Sequence, residues 1–151
     1  METKNIENIE KYMEILWNHD VKNRQINFLR DSPQRQIFEE RIRKEFQDQP
    51  QGFFLVYENK KVIGSLILKI SFNPYRQQKY GDVRAIFLES QCRGKGYGTK
   101  LLDFADEFFK KNGCAYAFAG IATHNSASNA LFAKSNYVHT RTILEKNYDE
   151  T

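Results

Sequence analysis

Cysteine is scarce: Cys92 and Cys114 are the only two, too few for a disulfide scaffold and without the paired Cys/His spacing that holds zinc. Proline is limited to Pro33, Pro50 and Pro74. No internal repeat or low-complexity linker offers a boundary, so residues 1–151 read as a single domain. No apolar run approaches the roughly 20 residues that a membrane-spanning helix needs. The N-terminus, METKNIENIEKYME, is charged throughout, lacks the apolar stretch of a signal peptide, and carries acids that argue against a mitochondrial presequence. These absences point to a reduced, cytoplasmic, soluble domain with no metal and no membrane partner.

What is present can build a core: 40% of the 151 residues are hydrophobic and 12 are Phe, which excludes disorder as the default. The net charge of +4 is unevenly spread. Residues 1–50 carry 9 basic and 10 acidic side chains, residues 51–111 carry 11 and 6, and residues 112–151 carry 3 of each. A modest central excess without a run of four Lys/Arg fits a solvated surface or a site for a small polyanion better than nucleic acid.

Ile6, Ile9, Met13, Leu16 and Trp17 recur at helical spacing, predicting an amphipathic helix over residues 5–18. Val21–Arg30, with Ile26, Phe28 and Leu29, reads as a short helix or an ordered loop. Ser32 as N-cap and Pro33 at the first helical position open a second helix that carries Phe38, Ile42 and Phe46 and runs to about Asp48. Phe53–Tyr57 and Val62–Phe72, joined by a polar turn, read as a β-hairpin. A loop over Asn73–Gly81 leads to a third strand, Val83–Leu88. A glycine-rich turn, Gly94–Gly98, precedes a strongly apolar helix, Thr99–Lys111. The apolar run Cys114–Ala122 reads as a central strand covered on both faces. A short helix over Asn125–Lys134 and a last strand within Tyr137–Lys146 complete an α/β fold with one mixed, mostly antiparallel sheet flanked by helices.

The most informative stretch is Arg93-Gly94-Lys95-Gly96-Tyr97-Gly98-Thr99-Lys100, between a strand and a buried helix. Glycines let backbone N–H groups converge on a ligand, and the helix N-terminus adds about half a positive charge, so the place suits an anion. Arg93, Lys95 and Lys100 add point charges. No Gly-Lys-Ser/Thr follows at Walker distance, and the dinucleotide pattern fails because position 101 is Leu.

These residues resemble the R/Q-x-x-G-x-G/A acetyl-CoA loop of the GNAT-type N-acetyltransferases. The preceding strand end Ile86-Phe87-Leu88 agrees, as does Asn125-Ser126-Ala127-Ser128 at the place of that family's N-x-x-A motif, with Phe132 and Tyr137 following. The resemblance covers roughly residues 50–146 and implies a GNAT-like fold acting on acetyl-CoA. It implies that backbone groups of Ile86, Phe87 and Leu88 hold the pantetheine arm. The amides of Gly94, Lys95, Gly96, Tyr97, Gly98 and Thr99 would hold the pyrophosphate beside Arg93, and Asn125 would meet the arm from the opposite side. The Leu88 N–H would face the thioester oxygen. Phe132 departs from the family, many of whose members have a Tyr there that protonates the departing thiolate.

Acyl transfer needs a neutral amine. A lysine-like amine of pKa ~10.4 is neutral about 0.04% of the time at pH 7, a cost of ~4.6 kcal/mol, whereas an α-amino group near 7.8 costs only about 1 kcal/mol. An alkylamine acceptor therefore gains more from a general base. Asp82 is the first candidate, with ion pairing to Arg84 as its plain alternative; it is expected to open the third strand and to share one face with Arg84, Ile86 and Leu88. Glu89 and His124 come next, His124 equally as a loop residue capping the following helix. The expected activity is acetyl transfer from acetyl-CoA to a primary amine of a small molecule or protein. The alternatives are an acyl-CoA sensor of the same fold, which Phe132 encourages, and, last, a nucleic-acid binder. A homodimer stays open.

Overall fold

The computed structural model describes residues 1–27 and 32–149. In chain order the elements are β1 (Glu2–Asn5), α1 (Met13–Asn27), α2 (Arg35–Asp48), β2 (Phe53–Glu58), β3 (Lys61–Asn73), β4 (Gln78–Leu88), α3 (Tyr97–Lys111), β5 (Tyr116–Ala119) and α4 (Ser126–Lys134). They form a five-stranded sheet in the order β1-β2-β3-β4-β5. The first three junctions are antiparallel, and β4 and β5 pair in parallel across the crossover helix α3.

Alternation along the strands sorts two cores. On one face Phe53, Leu55 and Ile67 bury against Ile6, Ile9, Met13 and Leu16 and against Phe38 and Ile42 of α2. On the other, Phe54, Leu66, Leu68 and Val83 bury against Leu102, Ala105 and Phe109 of α3 and Phe132 of α4. Each such side chain contributes roughly 1.5–3 kcal/mol by leaving water, and a slip of one residue in β2 would send each set into the opposite core.

The N-terminal third departs from the expected helix over 5–18. Residues 2–5 are a strand paired with β2, and the Ile6 amide extends that contact to the Phe53 carbonyl at 2.8 Å. A single 3-10 turn, Glu10–Tyr12, then leads into α1. The 3–4 spacing marked the buried residues, but one apolar face runs across three kinds of backbone. The Val21–Arg30 segment is helical to Asn27; Phe28, Leu29 and Arg30 lie outside the described residues. Ser32 and Pro33 do not cap α2, which starts at Arg35 after an extended Gln34 with no side-chain cap.

The expected loop at Asn73–Gly81 contracts to a tight turn. Asn73 Oδ1 accepts the amides of Tyr75 and Arg76 at 3.0 and 3.3 Å, a local bond pattern that lets both strands run up to it. Gly81 lies inside β4 because α3 needs the room: a Cβ there would sit 2.3 Å from the Phe109 ring.

The register of β3 with β4 slips between Ile67 and Leu68, whose partners are Ala85 and Val83. Arg84 is the extra residue of this bulge. Val83 and Ile86 consequently both pack toward α3, while Ala85 packs against the α1/α2 core. Asp82 and Arg84 therefore do not share a face with Ile86 and Leu88, correcting the period-two expectation.

The apolar run Cys114–Ala122 yields a four-residue strand at the end of the sheet order, not a central one. Its apolarity serves its faces. Cys114, Ala117, Ala119 and Ile121 pack toward α3, and Tyr116 and Phe118 form a ring cluster with Tyr80. No strand forms among the described residues of 137–149, where Val138, Ile143 and Leu144 stand in solvent. β-propensity without a paired edge does not make a strand.

Candidate active site

β5 accompanies β4 only from Tyr80 to Val83. Beyond that point β4 continues to Leu88 with β3 on one side and no strand among the described residues on the other. The Glu89 amide donates to Ile63 O at 2.8 Å, so antiparallel alternation turns the N–H and C=O groups of Ile86 and Leu88 toward the open edge. Two side chains confirm that direction: Asn23 Nδ2 donates to Ile86 O at 3.2 Å, and Arg93 Nε donates to Leu88 O at 3.1 Å.

The strand leads through Ser90–Cys92, a single 3-10 turn, into the glycine loop. Gly94 and Gly96 have φ of +77° and +80°, the left-handed region, and a Cβ at either would meet nothing within 4 Å. None of the amides from Gly94 to Thr99 finds an acceptor among the described residues; the Lys100 amide is the first to close, on Gly96 O at 3.2 Å. Six donors, an open space and the N-terminus of a 15-residue helix form an anion cradle. Gly98 has a different task, since a Cβ there would press on Leu131 at 3.0 Å; it lets α3 and α4 approach. Lys95 lies 3.9 Å from Glu58, which also accepts the Tyr97 hydroxyl. Arg93 and Lys100 carry no carboxylate partner among the described residues.

Across the open edge, Asn125 caps α4, its Oδ1 accepting the Ser128 amide at 3.1 Å. Its Nδ2 donates to Asn27 Oδ1 at 2.6 Å, and Asn27 Nδ2 in turn donates to Asn23 O at 2.9 Å. His124 Nε2–H donates to Ile26 O at 2.6 Å. Two residues at the start of α4 thus clasp the end of α1, which lies over the gap between β4 and β5. Phe132 is buried in the α3 core, edge-on to Tyr137. The Tyr137 hydroxyl has no hydrogen-bond partner among the described residues, and burial together with the Asp106 charge pushes its pKa up to about 12.

Beside Leu88, Glu89 accepts Lys22 Nζ at 3.1 Å and lies 3.7 Å from His19 Nε2. His19 is buried, its ring stacked on Phe87 at 4.3 Å and its Nδ1 2.8 Å from Ser65 Oγ. Burial pulls its pKa down to about 4, against the upward pull of Glu89 and with the help of Lys22; the ring is neutral at pH 7.

Asp82 lies elsewhere. It is register partner to Phe118, where β4 and β5 are still paired, six residues or ~20 Å of strand from Leu88. It contacts Arg84 at 3.9 Å, and Arg84 is held by Glu45 of α2 at 2.5 Å. Burial raises the Asp82 carboxyl above its ordinary value, opposed by Arg84 and Lys69. The structure thus gathers Ile86, Leu88, Glu89, Arg93 and the loop glycines along one edge, with His124 and Asn125 facing them, and leaves Asp82 apart. Sequence reasoning did not pick out His19, Lys22, Asn23, Asn27 or Ser65. The signal available was the polar face of α1 beyond residue 18, which an earlier helix end concealed.

The acetyltransferase (GNAT) family model matches residues 11–137. The fold matches the aminoglycoside antibiotic 6'-N-acetyltransferase AAC(6')-IG from Acinetobacter haemolyticus (TM-score 0.76, 16% identity, 100% of each chain). It also matches a protein described as a possible acetyltransferase from Clostridium difficile 630 (TM-score 0.77, 9% identity, 99% of this chain and 98% of that one). A third match is a chain of the NatC complex bound to Gag peptide and CoA (TM-score 0.71, 17% identity, 93% of this chain and 86% of that one). With strand edge, cradle and family match together over most of its length, the chain belongs to the GNAT acetyltransferase family.

Proposed function

We propose that this chain, acting as a single catalytic domain, transfers an acetyl group from acetyl-CoA to the primary amine of a small molecule or protein. The observation that carries this reading is the run of six unengaged amides, Gly94 to Thr99, over two left-handed glycines with open space above them. That cradle fits a diphosphate: main-chain donors, a helix N-terminus, and Arg93 and Lys100 at its rim.

When bound, acetyl-CoA supplies an activated acyl group. The open edge of β4 offers the N–H groups of Ile86 and Leu88 to an extended amide chain, as an added strand would. The Leu88 N–H is then placed to stabilise negative charge on a carbonyl oxygen, a role worth roughly 2.7–4 kcal/mol per donor in acyl-transfer enzymes. Glu89, the next residue, takes the proton of an alkylammonium acceptor. It replaces Asp82 as first candidate because it adjoins Leu88. Neither Phe132, which has no proton to give, nor Tyr137, which holds its own, protonates a leaving thiolate. A thiol of pKa ~8.5 leaves without that help.

A second reading, an acyl-CoA sensor of the same fold, is favoured by Phe132. Both readings expect acetyl-CoA to raise the melting temperature. Only the enzyme releases free thiol when a panel of primary amines is supplied; silence across aminoglycosides, polyamines, amino acids and peptide N-termini would leave the sensor.

A further inference from the structure

His19 is a buried titratable side chain with no part in the mechanism above, and its surroundings are specific. Ser65 of β3 stands behind it at 2.8 Å, the Phe87 ring lies under it, and Glu89 stands before it at 3.7 Å from Nε2. A Ser-His-Glu nucleophile is excluded by access, since Ser65 and His19 are 4% and 6% exposed. His19 is also a poor base, for the same burial that hides it keeps it neutral.

Donor and acceptor logic fixes the tautomer. Ionised, a carboxylate only accepts, so the nitrogen facing Glu89 must carry the hydrogen if the contact is to be attractive. Nε2–H then points at the carboxylate, Nδ1 bears the lone pair, and the Ser65 hydroxyl donates to it. At 3.7 Å the Nε2 contact is longer than a hydrogen bond, while Lys22 holds both carboxylate oxygens, at 3.3 and 3.1 Å. Lys22 is half exposed, so it yields readily to an arriving ammonium group, whereas His19 is locked by packing. The charged groups facing Glu89 are Lys22 from α1 and, one residue along, Arg93 on the Leu88 carbonyl.

Resting on the reading of Glu89 as base, we propose that His19, backed by Ser65, is a positioning residue. It holds the Glu89 carboxylate at the open edge of β4 through its Nε2–H once Lys22 gives way to the acceptor. A positioning donor of this kind favours the ionised carboxylate.

The test uses the full chain without ligand in a Lys22→Ala background, which frees the Glu89 carboxylate as an arriving ammonium group would. The carbon-13 carboxyl titration of Glu89 is followed by NMR in the parent, His19→Phe, His19→Gln and Ser65→Ala. Phe fills the space over Phe87 without a donor and should move the Glu89 midpoint up by about one pH unit, a tenfold change in the proton-binding constant. Gln keeps a donor and an acceptor and should restore it. Ser65→Ala, which spares the ring, should move it in the same direction by less and admit the Nδ1–H tautomer in nitrogen-15 spectra. Should His19→Phe not fold, Ser65→Ala decides. An unmoved midpoint in the folded variants, or an Nδ1–H tautomer in the parent, would overturn the proposal. Thiol release by Glu89→Gln at the parental rate would instead remove the base reading, leaving the titration result to stand or fall by itself.

Discussion

Asn125 Nδ2 donates to Asn27 Oδ1 at 2.6 Å, tying the start of α4 to the end of α1 across the gap where β4 and β5 part. Asn125 also caps its own helix. Its replacement by Ala should therefore cost about 1–2 kcal/mol, cap and tie together. Asn27→Ala should cost about 1 kcal/mol. Because the two share one bond, the double variant should lose less than the sum, as urea unfolding of the three proteins will show.

The loop predicts a separation of binding from folding. Gly96→Glu places a side chain and a negative charge over the cradle. The space there is open, so the cost in stability is the left-handed φ alone, about 1 kcal/mol. Acetyl-CoA binding by calorimetry should disappear while the circular dichroism spectrum stays that of the parent; retained affinity would count against the loop. Gly98→Ala should act in the opposite way, weakening the α3–α4 contact at Leu131.

Stability should fall as pH drops from 6.5 toward 4. His19 is neutral in the fold, with a pKa of about 4, and protonates near 6.5 when unfolded. Between those values the unfolded chain binds the extra proton, so the fold loses up to ~3 kcal/mol across the window. The Asp82 and Asp106 carboxyls, raised mainly by burial, work in the other direction, as they favour the folded form while protonated. Urea midpoints of the parent and His19→Gln at pH 4.5 and 7 should converge at the lower pH.

Asp82 and Glu89 should separate in a rate assay. Asp82→Asn removes the ion pair with Arg84 and should leave thiol release within a few-fold of the parent. Glu89→Gln removes the base and should lower it by roughly 10²–10⁴. The reverse order would return the base to Asp82.

The glycine cradle was legible because its cause is local. Gly94 and Gly96 adopt a backbone that other residues resist, and the basic residues around them lie in the same ten positions. The β2–β3 hairpin and the apolar α3 were legible from their apolar runs and the polar turn between the strands. Other features arise only when distant segments meet. Arg84 is bulged because β3 and β4 slip by one residue, which no alternation within β4 announces. His19, Lys22 and Asn23 reach Glu89 and Ile86 from α1, more than sixty positions away in the chain. The Phe and Ala residues of β5 suit a strand packed on both faces and are silent about whether both edges are paired.

A crystal structure of the acetyl-CoA complex tests the central claim most directly. The account predicts the diphosphate within hydrogen-bond distance of the Gly94–Thr99 amides and the thioester carbonyl at the Leu88 N–H. A diphosphate bound elsewhere, with those six amides still facing water, would contradict it.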